Sequence, residues 1–164
     1  MSKEIQGTAG LLEAIRQKGR VWVKDSLGQP MEWVLASHWS SEDGQEGTAL
    51  LFDLFQIRSI CPPFSEVSLD IVQFASKPTV YHSPVNSVLQ AGPVKDGIIR
   101  FSVIKHPTWN GLLFSISQVV FAKYPVQVPE GAEIFVVDAP FLLQAKGHKA
   151  LYLDPEGGIK ILKA

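Results

Sequence analysis

The chain has 164 residues, of which 46% are hydrophobic and 19% charged, with a formal net charge of −1 and one cysteine. A chain of this length can bury a sufficient core without a metal or disulfide, and a single cysteine excludes an intrachain disulfide. The near-neutral charge, without any run of Lys or Arg, argues against nucleic acid as the main partner.

The same features predict one globular domain over residues 1–164. A single cysteine is typical of a reducing compartment, the N-terminal residues lack the apolar core of a secretion signal, and no stretch has the ~20 apolar residues of a membrane span. We therefore expect a cytoplasmic protein without a membrane segment. The low charged fraction favours contact with a protein partner, a small ligand or further copies of the chain in a homo-oligomer.

The first regular element is a short amphipathic helix. Residues 1–7 are polar and are expected to be frayed. Thr8 is a suitable N-cap, Leu11 and Ile15 lie on one helical face, and Gly19 is placed to end the helix. Its single apolar stripe indicates that the helix covers a sheet.

Two hairpins are indicated by strand–turn–strand patterns. The first runs from residue 21 to residue 35 around a turn at 25–30, and it is followed by a polar loop at 38–47. The second runs from residue 150 to residue 162 around Asp154–Gly158, where Asp-Pro favours a type I turn.

The segment from Thr48 to Ile60 fits two structures. Its apolar residues match helical spacing and match alternation almost as well, and its Phe and Ile content favours a strand. After Cys61 and two prolines, Val67, Leu69 and Ile71 alternate with polar residues, which predicts a half-buried strand. Short strands are also predicted at 79–81 and 133–138.

The stretch 97–124 is predicted to form a central hairpin. Ile99, Phe101 and Val103 share one face of the first strand, and Arg100 faces the other way. A polar loop follows at 105–111. Residues 113–123 are predicted as the second strand, with a helix capped near Asn110 as the alternative.

Together these elements predict an α+β fold, mainly antiparallel β-sheet or a partial barrel, with one N-terminal helix. No known family is recognised across the chain.

Histidines and loop tryptophans are the candidate binding residues. His38, His82 and His106 each follow a predicted strand, so their imidazoles would converge if the strand ends meet, as in a zinc site. No metal-ligand spacing accompanies them, and we predict no metal. Trp39 and Trp109 lie in polar loops, where aromatic rings are typical contact residues; alternatively, each ring folds back and closes the end of a barrel or sandwich. The candidate set is His82, His106, Thr108, Trp109, His38 and Trp39.

Other chemical signals are weak. Cys61 has apolar neighbours and is expected to be a buried structural thiol rather than a nucleophile. Asp53, Asp70 and Asp138 lie in apolar surroundings, where a buried carboxyl would have a raised pKa and suit acid–base catalysis. No glycine-rich nucleotide motif is present, so no cofactor is predicted.

Three functional hypotheses follow, of which the last is a nucleic-acid or nucleotide accessory protein. The first is a non-catalytic binding or interaction module, for which Trp109→Ala is expected to weaken binding and leave the fold intact. The alternative is a small enzyme with a pocket lined by His82, His106 and an Asp, with or without a metal.

Overall fold

The computed structural model describes residues 2–89, 91–144 and 148–164. The strands found in these residues belong to one mixed sheet. They are β1 (Lys3–Gln6), β2 (Arg20–Lys24), β3 (Pro30–Leu35), β4 (Thr48–Leu51), β5 (Thr79–Pro84), β6 (Val94–Lys95), β7 (Ile98–Val103), β8 (Val120–Lys123), β9 (Glu133–Val136), β10 (Lys149–Leu153) and β11 (Ile159–Lys163). Their order is β1-β9-β2-β3-β8-β4-β7-β5-β10-β11, and β6 pairs with β7.

Most of the pairings among the described strands are antiparallel. Four are parallel: β1 with β9, β9 with β2, β4 with β7, and β5 with β10. The expected α+β class and mainly antiparallel sheet are therefore confirmed. The described residues also form three α-helices rather than one: α1 (Thr8–Lys18), α2 (Glu66–Gln73) and α3 (Pro107–Ile116).

The N-terminal prediction is partly correct. Helix α1 buries Leu11 and Ile15 and ends at Gly19, whose φ of 77° is left-handed and whose N–H donates to the Ile15 carbonyl. Thr8 is the first helical residue rather than the cap. Residues 3–6 are not frayed, because β1 pairs in parallel with β9.

Both predicted hairpins form. Strands β2 and β3 pair antiparallel, and so do β10 and β11. The turn before β3 is held by Asp25, whose Oδ1 accepts from the N–H groups of Leu27 and Gln29. A short polar side chain that satisfies local amides is what this turn requires.

The predicted strand over residues 67–71 is wrong, because this segment is α2. Ser65 caps the helix by accepting from the Ser68 N–H at 3.2 Å. The residues that the helix buries are Ser68 and Val72, four positions apart. Val67, Leu69 and Ile71 do not share one side of the helix, and Val67 is exposed.

The predicted central hairpin is also wrong. Strand β4 lies between β7 and β8, pairing in parallel with the first and antiparallel with the second. The first half of the expected second strand is α3, which starts at Pro107 and is capped by the His106 side chain. Residues 48–60 are a strand only as far as Leu51, and a 3-10 helix follows at Leu54–Ser59.

The sheet is covered on both faces, as two clusters of buried residues show. One cluster packs under α1 and α3 and includes Trp33 and Trp109. The other packs under α2 and the 3-10 helix and includes Phe101 and Phe121. Strands buried on both faces read as continuous apolar runs, as β4 does.

Candidate functional site

The strand order places three polar side chains side by side on the α1/α3 face of the sheet. Arg100 in β7 is directly opposite His82 in β5. On the other side of β7, Ala49 of β4 pairs with Phe101. Thr48, one residue before Ala49, therefore lies next to Arg100, and it also pairs with Ala122 of β8. Residues directly opposite each other in a sheet project from the same face. Thr48, Arg100 and His82 therefore form a polar row across three strands.

This polar row lines a cavity of about 640 Å³, here called the polar cavity. Loops complete it: residues 43, 44, 46 and 47 before β4, residues 124–126 after β8, and Leu143 with Gln144. Its volume lies within the range typical of small-molecule sites, about 300–1,000 Å³. Its lining includes Gln29, Asp43, Glu46, Thr48, His82, Arg100, Lys123, Tyr124 and His148.

Arg100 is the cation at the centre of the row. Its guanidinium pairs with the Glu46 carboxylate at 2.8 Å, and the two side chains are 31% and 76% exposed, respectively. An ion pair this exposed contributes little stability. Glu46 is therefore a partner that a bound anion can replace.

His82 is held neutral beside this cation. Burial lowers the pKa of His82, and the positive charge of Arg100 lowers the pKa further. A neutral imidazole offers one donor and one acceptor. His82 thus supplies hydrogen bonding, and Arg100 supplies the positive charge.

Two polar atoms at the cavity are buried without a hydrogen-bond partner among the described residues. They are Oε1 of Gln29 and Nδ1 of His148. A buried polar atom without a partner costs about 1–3 kcal/mol, so such atoms in native structures call for a bound molecule or an ordered water. Tyr124 adds a hydroxyl whose pKa is raised by burial, and the neighbouring Thr48 and the positive charge of Arg100 oppose that rise.

A charge cluster of Arg20, Glu32, Asp43 and Lys123 borders the polar cavity. Arg20 donates to both Asp43 carboxylate oxygens, at 3.0 and 3.2 Å. Lys123 lies 3.5 Å from both Asp43 and Glu32. Burial raises the pKa of Asp43, but the Arg20 hydrogen bonds, the Ser40 backbone N–H and the two cations outweigh it and lower the pKa to about 2. The cluster fixes the loop that carries Glu46.

The predicted histidines lie in different places. His82 lines the polar cavity, whereas His106 lines a second cavity. His38 is exposed, and a Cβ at Gly19 would overlap its ring. No group of three His, Cys, Asp or Glu in the described parts of the chain is arranged to hold a metal ion. The expected pocket that combines His82 with His106 does not form.

The predicted tryptophans are core residues. Trp39 packs edge-to-face on Phe121, with ring centroids 5.4 Å apart. Trp109 is only 1% exposed, and its Nε1–H donates to the Pro140 carbonyl at 3.0 Å. Thr108 is exposed, and its N–H donates to His106 Nδ1. Because Trp109 is a buried ring, we now expect Trp109→Ala to destabilise the fold, since truncating a buried aromatic costs about 3–5 kcal/mol.

Of the other chemical candidates, Cys61 and Asp53 have structural roles, whereas Asp70 and Asp138 are exposed. Burial raises the pKa of Cys61 to about 12, so the thiol stays protonated near neutral pH. Asp53 caps the 3-10 helix by accepting from the Gln56 N–H. The prediction did not include Arg100 in the site. The sequence signal that could have found it is a cation within a largely apolar strand.

The described residues include no helix with the length and hydrophobicity needed to cross a membrane. No protein-family model matches the sequence, and a search of curated proteins found no match.

Solved structures share the fold. Sua5 from P. abyssi superposes with a TM-score of 0.71 at 10% identity, over 99% of this chain and 56% of that one. E. coli YciO superposes with a TM-score of 0.70 at 10% identity, over 99% of this chain and 95% of that one. Full-length HypF in its phosphate- and nucleotide-bound form has a TM-score of 0.66 at 12% identity, over 94% of this chain and 28% of that one.

These matches define the chain as an α+β protein with the fold shared by Sua5, YciO and part of HypF. The chain spans little more than half of the Sua5 chain and about a quarter of HypF. At 9–12% identity, the likeness establishes the fold alone.

Proposed function

We propose that this chain is a binding module whose polar cavity takes a small ligand with an anionic oxygen group, either carboxylate or phosphate. The observation that carries the proposal is the position of Arg100, which lines the cavity as the middle residue of the polar row and is paired only with the exposed Glu46 carboxylate among the described ion pairs. A guanidinium is suited to bind either anion through two parallel hydrogen bonds.

The remaining lining suits a ligand that also carries hydrogen-bond donors. Gln29 Oε1 is an acceptor without a donor among the described residues. An ammonium, hydroxyl or amino group on the ligand would satisfy it. Thr48 and Tyr124 add hydroxyl groups at the same cavity. The proposed ligand is therefore a small polar molecule with one anionic end, such as an amino acid or a nucleotide.

The ligands of the structural neighbours support this ligand class. One structure of P. abyssi Sua5 is a complex with L-threonine, and it superposes with a TM-score of 0.68 at 9% identity. HypF was determined with phosphate and nucleotide bound. L-threonine carries a carboxylate and a nucleotide carries phosphate, which are the two anions that Arg100 suits.

We also infer that residues 1–164 act as one folding unit, since one sheet links β1 to β11.

Calorimetric titration with L-threonine, ATP and inorganic phosphate tests the proposal and separates the two anion sources. We expect at least one of the three to bind, and Arg100→Gln to weaken that binding about 10- to 100-fold, since a charge-assisted hydrogen bond is worth about 1.5–3 kcal/mol. Arg58→Gln removes the same charge at an exposed position outside the cavity and is the matched control.

Two results would contradict the proposal. One is the absence of binding by all three ligands up to about 10 mM. The other is binding that Arg100→Gln and Arg58→Gln weaken equally, since net charge rather than the cavity would then explain the affinity.

A further inference from the structure

A second cavity of about 320 Å³ lies at the opposite end of β7, here called the apolar cavity. It is enclosed by the C-terminal end of α2, the first residues of β5, the end of β7 and residues 140–143. Among the described lining residues, the two cavities share only Leu143. The apolar cavity is therefore a separate site.

Aromatic and aliphatic side chains form its walls, chiefly Val72, Ile104, Trp109, Phe141 and Leu143. The Trp109 ring is fixed by its hydrogen bond to the Pro140 carbonyl and by an edge-to-face contact with Phe141, at 5.2 Å between centroids. An apolar cavity of about 150 Å³ holds one benzene molecule. This cavity therefore has room for a phenyl ring with a short chain attached.

The inner wall carries an unsatisfied polar group. The Tyr81 hydroxyl is buried and has no hydrogen-bond partner in the described part of the chain, because its contact with Thr79 does not meet hydrogen-bond geometry. Tyr81 is only 2% exposed. A buried hydroxyl without a well-formed partner is uncommon in a native protein, and it indicates a space that a bound molecule fills.

The mouth of the cavity carries donors and positive charge. Lys77 is exposed there, and His106 is half-buried. Because His106 Nδ1 accepts from the Thr108 N–H at 3.3 Å, the neutral ring carries its proton on Nε2, which is a donor.

Lys105 has a different role. Its Nζ donates to the Val72, Gln73 and Ala75 carbonyls at 2.8–3.0 Å. A lysine at the C-terminal end of a helix satisfies carbonyls that lack helical partners. Lys105 therefore holds the α2 wall of the cavity in place, and Lys77 remains as the cation at the mouth.

We propose that the apolar cavity binds a small aromatic carboxylate, with its ring against Trp109 and Phe141 and its carboxylate at Lys77 and His106. An apolar interior with a few polar groups at one end is the usual form of a small-molecule site. This proposal does not depend on ligand binding at the polar cavity.

The probe is 3-phenylpropanoate, followed by amide chemical shifts in ¹H–¹⁵N spectra of the intact chain. We expect saturable shifts centred on residues 102–106, and binding of uncharged 3-phenylpropan-1-ol that is at least about 5-fold weaker. Lys77→Gln is expected to remove most of the preference for the acid. Lys95→Gln is the matched control, since Lys95 is exposed on β6, beside the other end of β7.

Blocking the mouth tests the location. Ser76 is an exposed lining residue, so Ser76→Trp is expected to abolish binding of both probes, whereas Ser59→Trp, at an exposed position outside the lining, leaves it unchanged. Thermal unfolding verifies that each variant is native. If Ser76→Trp does not fold, the location of the binding site is established by the residues of the unmodified chain whose amide chemical shifts change.

The proposal is overturned if 3-phenylpropanoate gives no saturable shift up to about 10 mM. It is equally overturned if the shifts centre on the polar cavity, or if a folded Ser76→Trp variant binds normally. Arg100→Gln is expected to leave this binding unchanged, which distinguishes failure here from failure at the polar cavity.

Discussion

Removing the charge of Asp43 should destabilise the protein at neutral pH but not in acid. Asp43→Asn keeps a side-chain oxygen that can accept from the Ser40 N–H, which lies 2.9 Å from the carboxylate. The substitution removes the negative charge that Arg20 and Lys123 share. The carboxylate is nearly buried, with its side chain 5% exposed, so solvent screens its interactions only in part.

The magnitude follows from the pKa of about 2, compared with the ordinary 3.8. That pKa difference corresponds to a contribution of at most about 2.5 kcal/mol to the free energy of unfolding. Because Arg20 is 40% exposed, we discount this value to about 1–2 kcal/mol. The folded pKa lies below the unfolded one, so this stabilisation is fully present above pH 3.8 and is lost as the pH falls through about 2.

Urea unfolding of both proteins between pH 7 and about pH 1.5 measures the difference, since the stabilisation is lost only as the pH falls through about 2. The free energies of unfolding should differ by about 1–2 kcal/mol at pH 7 and should converge as the pH is lowered. Glu42→Gln, at an exposed position in the same loop, is the control for a general charge effect. A difference that is constant across the pH range would refute the reasoning, because the carboxylate charge would then not be its cause.

Two further outcomes are expected. Glu46→Gln removes the carboxylate that competes for Arg100 and should tighten anion binding about 2- to 5-fold in calorimetry; an unchanged or weaker affinity would count against Arg100 as the anion contact. Cys61, with its pKa raised to about 12 by burial, should react with iodoacetamide at pH 8 far more slowly than it does in urea-unfolded protein. Equal rates in the two states would show that the thiol is accessible and ionised.

The sequence predicted structure best where neighbouring residues determine it. The C-terminal hairpin is an example, because Asp154 Oδ1 accepts from the N–H groups of Glu156 and Gly158 within the turn itself. Gly19 is another, since its left-handed backbone closes α1. Such local contacts leave a compositional mark that can be read without knowledge of the fold.

Non-local pairing was not predictable in this way. The position of β4 between β7 and β8 depends on contacts between residues about 50 positions apart, such as Ala49 with Phe101. The alternation of apolar and polar residues in α2 wrongly indicated a strand. Ser65 caps a helix there, and the face that this helix buries is short and partly polar. Tertiary packing decided both cases over local propensity.

The candidate sites were missed for the same reason. Loop tryptophans are a common signal of binding, but Trp39 and Trp109 are buried in the two core clusters. The polar row instead draws Thr48, His82 and Arg100 from three strands that are distant in sequence. Each is unremarkable alone, and they meet only in the strand order of the folded sheet.

Strand β7 shows how one strand can serve two separate cavities. Arg100 and Ser102 project from the same face, two positions and about 7 Å apart along the strand. Arg100 lines the polar cavity and Ser102 the apolar cavity, and Leu143 is the described wall residue that both share.

The Ser102 hydroxyl donates to the Thr79 carbonyl and is therefore satisfied within the protein. Among the ion pairs of the described residues, the partner of Arg100 is an exposed carboxylate. Strand β7 thus presents a guanidinium to one cavity and a satisfied hydroxyl to the other. For that reason we propose a small polar anion at the first cavity and an anion with an aromatic ring at the second.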